Sequence, residues 1–115
     1  MQVLFLVLNK TECLEPLLEK LLESGVRGAT ILESTGMMRV LDKSGDDAPM
    51  FGALRHLFDP ERNGSKTLMM VLEDHQAEKV RGIINDVTGG IHRPDTGILF
   101  AVPALYTEGM EDCRP

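Results

Sequence analysis

Apolar and polar positions follow one pattern written twice: apolar strand, amphipathic helix, glycine turn, apolar strand. The first copy runs from Val3 to about Leu32 and the second from Leu68 to Val102. Val3–Leu8 is uninterrupted apolar, which predicts a central strand covered by helices. Thr11 then offers a hydroxyl N-cap, and Glu12 and Glu15 suit the positive end of a helix dipole. Pro16 falls about one turn in, where a helix tolerates it. Leu14, Leu17, Leu18, Leu21 and Leu22 form an apolar stripe, with Glu15, Glu19, Lys20 and Glu23 outside it. Gly25 supplies a left-handed C-cap. Ala29–Glu33 reads as a second strand, with a continuation past Gly36 through Met37–Leu41.

In the second copy, Thr67–Leu72 is the third strand. Asp74 offers a cap for a helix whose buried face is Ala77, Val80, Ile83, Ile84 and Val87. Gly82 weakens that helix slightly and suggests close packing, and Gly89-Gly90 ends it. Ile98–Val102 is the fourth strand, closed by Pro103. The tail from Thr107 to Pro115 is expected to be frayed or ordered by a partner.

The order β-α-β-β-α-β predicts an α+β, ferredoxin-like sandwich: an antiparallel four-stranded sheet with two helices on one face, in a single domain over residues 1–115. Right-handed crossovers place strands one and three in the centre. Strand four carries no charge to defend its edge, so an oligomer contact is expected to cover it.

The stretch between the copies fits neither. Ser44-Gly45-Asp46-Asp47, Asp59-Pro60-Glu61-Arg62 and Asn63-Gly64 are turn signals. Between them Pro49–Phe58 suggests a short helix, with Phe51, Leu54, Leu57 and Phe58 near one face. Residues 42–65 read either as a helical excursion packed on its own domain or a neighbour, or as a loop that docks on a partner.

Composition narrows the classes. A net charge of −6 argues against nucleic acid, and 4% aromatic residues argue against a base-stacking platform. No apolar run approaches the roughly 18 residues of a membrane span. Met1–Leu8 lacks the basic region and cleavage site of a signal peptide, so it is read as a strand of a cytoplasmic protein. Cys13 and Cys113 stand far apart, which fits reduced thiols better than a disulfide scaffold or a zinc pattern, with Cys113 the more exposed to oxidation.

Catalytic signatures are absent: there is no G-x-S-x-G, no P-loop, no H-E-x-x-H and no grouping of base, nucleophile and oxyanion donors, so no enzyme is expected. His56, His75 and His92 each lack a second histidine at metal-binding spacing, and Glu73-Asp74-His75 is most simply a helix cap. Two glycine-bearing loops suit anion or nucleotide contact, because glycine exposes backbone N–H groups and lets a ligand approach. One is Gly25–Thr30, leading to Thr35-Gly36; the other is Thr88–Gly97. Capping the helices is the plainer use of Gly25 and Gly89.

At these loops the chain resembles the PII signal-transduction family, the nitrogen regulatory superfamily, over nearly its full length. The family's pattern of strand, Lys, helix, Gly-x-x-Gly-x-Thr, strand, Gly is met by Lys10, Gly25, Gly28, Thr30, Glu33 and Gly36. Its helix-ending Thr-Gly is met by Thr88-Gly89, and its aromatic last strand before a proline by Phe100 and Pro103. The excursion at about 37–66 falls where that family carries its T-loop. The resemblance implies a homotrimer that binds an adenine nucleotide or another small anionic effector between subunits. It also implies an unidentified protein partner contacted through the excursion. The implied cleft draws on Leu8, Gly28, Ala29, Thr30 and Val71, on Gly36, Met38 and Arg39, and on the loop Thr88, Gly89, Gly90 and Ile91.

The chain departs from the family in its cations. The family's basic residue at the end of the second loop falls near Ile98, the loop is longer, and Ala104-Leu105-Tyr106-Thr107-Glu108 stands where paired arginines follow the last strand. Each lost cation removes about 1.5–3 kcal/mol of phosphate contact, which Arg93 and Arg39 offset in part. The family's modified T-loop tyrosine has no counterpart.

A second resemblance is to the cation-tolerance proteins of the CutA type, also trimeric and ferredoxin-like. It implies metal binding, for which His75, His92 and Cys113 are the available donors. An acylphosphatase-like enzyme is a thinner match, resting on Arg27 beside Gly28.

Overall fold

The computed structural model describes residues 1–37 and 64–110. Met38, Arg39, His56, Cys113, the strand continuation over 38–41 and the helix expected at Pro49–Phe58 lie outside them; the second strand itself stops at Ser34 and does not run on through Met37. The described elements are β1 (Gln2–Leu8), α1 (Leu14–Glu23), β2 (Thr30–Ser34), β3 (Ser65–Leu72), α2 (Asp74–Thr88) and β4 (Gly97–Pro103). The sheet order is β2-β3-β1-β4, with every neighbouring pair antiparallel. This is an α+β fold compatible with the ferredoxin-like arrangement, with strands one and three in the centre as expected.

Both helices cover one face of the sheet. Leu4, Leu6 and Leu8 of β1 and Leu68, Met70 and Leu72 of β3 pack with Leu17 and Leu21 of α1 and Ala77, Val80 and Ile84 of α2. Burying each such side chain contributes about 1.5–3 kcal/mol, so this single layer carries most of the stability. The continuous apolar run of β1 predicted cover by helices. The structure gives that cover to alternate residues only: Leu4, Leu6 and Leu8 are buried, whereas Val3, Phe5 and Val7 point to the opposite face and are half-buried. Nothing among the described residues lies across that second face.

Two caps differ from expectation. Thr11 does not cap α1: it opens a 3-10 turn, Thr11–Cys13, that runs straight into the helix with no side-chain cap. Asp74 is the first residue of α2 rather than its cap. Glu73 caps it, through a reciprocal capping box with Gln76. Where two acidic residues stand side by side, backbone geometry selects the one in extended conformation. The leucine stripe of α1 is narrower than its spacing suggests, since Leu22 is exposed. Gly82 is exposed too, with open space where a side chain would stand, so no close packing requires it.

Glycine ends both helices. Val26 N donates to Leu21 O at 2.9 Å and Gly25 N to Leu22 O at 3.0 Å, with Gly25 at φ 96° and Val26 buried beneath. That is a Schellman motif. Gly89 closes α2 at φ 83°.

Candidate functional site

The strand ends divide the expected cleft residues into two groups. At the end where β1 finishes, Leu8 pairs with Lys66 and Gly97. Gly36 follows β2 there, and Thr88, Gly89, Gly90 and Ile91 form the turn after α2. Towards the other end, Gly28 and Ala29 lead into Thr30, which pairs with Met69 on the rung of Phe5. Val71 pairs with Val3. At about 3.3 Å per residue Thr30 stands about 10 Å, and Val71 about 17 Å, from the Leu8 rung along the sheet. One chain therefore does not bring them together.

The first group is well ordered by hydrogen bonds. Asn9 N and Lys10 N both donate to Thr96 O, at 2.9 and 3.3 Å. Lys10 Nζ reaches the last turn of α2 and donates to Thr88 O at 3.2 Å. A cation there complements the negative end of the helix dipole. The buried Thr88 hydroxyl donates to Ile84 O at 2.7 Å and accepts from Gly90 N at 3.3 Å. Ile91 N donates to Asn85 Oδ1 at 2.8 Å. The Gly90 amide is thus already taken by its own chain. Leu8 lies wholly in the core, so it offers a ligand no side chain. Arg93 is exposed on the following turn, and Cys13, a free thiol, packs near Val87 O.

Polar residues outside the expected set extend this end. Ser65 donates to Asn9 Oδ1, and the Ser34 and Thr67 hydroxyls share a bond of 2.7 Å. Glu33 pairs with Lys66. The switch from Leu8 to Asn9-Lys10 was the only signal of this cluster in the sequence.

Glycines separate by purpose. Gly25, Gly89 and Gly90 have positive φ and serve the backbone. Gly28 and Gly36 do not, and a Cβ at either would meet nothing within 4 Å. Among the described residues, nothing in the fold requires a glycine at these two positions.

The histidines do not converge. His75 opens α2 and His92 lies beyond its far end; both are exposed. Among the described residues no three His, Cys, Asp or Glu side chains form a group that could hold a metal. Beside His75, a hydrogen bond from Gln2 and the nearby chain amine hold the Asp74 carboxyl below its ordinary pKa.

Among the described residues no helix is long and apolar enough to cross a membrane. No protein-family model matches the chain, and no curated protein matches it.

Proposed function

We propose that the chain is a non-enzymatic regulatory protein of the PII-like kind. It assembles as a cytoplasmic trimer, holds a small anionic metabolite or adenine nucleotide between copies, and contacts a protein partner through the 42–65 excursion. One observation carries the reading: within one chain the expected ligand residues fall into two groups, three to five rungs apart along the sheet. A shared site then needs one group from each of two copies. Gly28 and Gly36, which nothing among the described residues requires, fit close approach by a ligand or a neighbouring chain. Lys10 is spent on Thr88 O, so phosphate contact falls to Arg93 and to Arg39 outside the described residues. Fewer cations favour a mono- or diphosphate, or a smaller anion, over a triphosphate.

Calorimetry with ATP, ADP, AMP, cyclic dinucleotides and bicarbonate tests the reading. We expect one of them to bind, and Gly28→Ala to weaken that ligand about tenfold (~1.4 kcal/mol) while leaving the unfolding midpoint unchanged. No heat from any of them, with the assembly intact, removes the ligand from the proposal.

A further inference from the structure

Among the described residues, the sheet face opposite the helices is apolar and uncovered. Val3, Phe5 and Val7 of β1, Met69 and Val71 of β3, and Ile98, Phe100 and Val102 of β4 share it. Ile98 is 62% exposed, Phe100 48% and Val102 44%. Phe5 and Phe100 stack across it, with ring centroids 5.0 Å apart. The two charged residues of the strands, Glu33 and Lys66, pair in register with each other and with Leu8, on the helix-covered face. The open face thus holds no charge.

The chain continues from β4 into a second apolar feature. Ala104 N donates to Met1 O at 3.1 Å, which carries the backbone one rung past the strand. Leu105 and Tyr106 follow, 93% and 79% exposed. No charged residue occurs from Gly97 through Thr107. An anchored backbone that holds two large apolar side chains in water is costly unless something receives them.

We infer that Leu105 and Tyr106 are a hook that, together with the open sheet face, binds a second copy of this chain. The inference rests on the self-association in the function proposed above and assigns the residues that hold it. Size supports it. Four strands of about seven residues cover a footprint of roughly 400 Å². A stable interface needs about 800 Å² from each partner, so the sheet alone falls short. The tyrosine ring, at about 150–250 Å² when buried, and the leucine beside it bring the patch closer to that size.

Charge selects the occupant. A chain of net charge −6 repels its own copy over most of its surface. The open face and the hook form a region where two copies meet without like charges facing each other. The same region offers no cation to a nucleic acid or an anionic membrane.

Tyr106 is the only tyrosine and the chain has no tryptophan, so intrinsic fluorescence reports on the hook alone. The test is acrylamide quenching of the full chain over a dilution series, with mass followed by sedimentation and free tyrosine amide as the reference. In the assembly we expect quenching several-fold weaker than for the reference, rising towards it as mass falls. Leu105→Ser should raise the dissociation constant by about 30-fold or more. Its far-UV circular dichroism should not change, because Leu105 is almost wholly exposed. An assembly in which Tyr106 quenches like the free amide, with L105S assembling at unchanged affinity, overturns the hook and leaves self-association standing. A chain that is monomeric at every concentration overturns both.

Discussion

At Gly97 the backbone has φ 153° and passes the carbonyl oxygen of Val7 so closely that a methyl group on its Cα would collide with it. The residue opens β4 opposite Leu8, where the edge strand is drawn tightly against the central one. Backbone on both sides of the contact is held by ladder hydrogen bonds, so neither side can move aside cheaply. Gly97→Ala should therefore lose about 2–4 kcal/mol, read as a lower urea midpoint at unchanged slope. Gly28 is its opposite, with open space around it and an ordinary φ. The sequence shows both only as glycine. Which one the backbone needs depends on a neighbour more than eighty positions away for Gly97, and pattern reading does not reach that far.

Among elements, strand and helix order were legible because apolar runs, glycine turns and a helical leucine spacing all agreed. Cap identity was not legible, since Glu73-Asp74 offers two acidic candidates and only backbone conformation separates them. Asp74 has a different use: it joins the start of β1 to the start of α2. Gln2 Nε2 donates to Asp74 Oδ1 at 3.0 Å, and the Met1 amine lies 3.5 Å from the same oxygen. Both favour the carboxylate, so the folded pKa lies below the unfolded value. A depressed pKa contributes stability that is present above the unfolded value and lost as pH falls through the folded one. That loss falls below about pH 4. Denaturant midpoints from pH 6 to pH 2 should show a shallower acid-side decline for Asp74→Asn than for the unsubstituted chain. Salt should reduce the difference, because the carboxylate is exposed to solvent.

For the molecule as a whole, the antiparallel sheet and its one helical layer followed from the order of elements. The site did not follow in the same way. The residues assigned to it came from a resemblance, and the sheet separates them by three to five rungs. No spacing in the sequence reveals that, because strand pairing decides which loops share an end. Alternation in β1 was hidden as well: a run that is apolar on both faces reads as fully buried, yet the described helices cover one face only. If copies cover the other, folding and assembly are linked, and the melting temperature should rise with protein concentration. Calorimetric scans over a hundredfold concentration range check this, and a constant melting temperature would count against the linkage.

The rung between Ser34 and Ser65 has one more consequence. The chain leaves the sheet at one of these residues and re-enters at the other, on neighbouring strands already joined by hydrogen bonds. The boundary of the intervening stretch is thus fixed by the sheet and not by the stretch itself. Doubling the length of such an insert costs only about 0.6 kcal/mol of closure entropy. This is a doorway at which evolution can exchange one insert for another, with the frame around it unchanged.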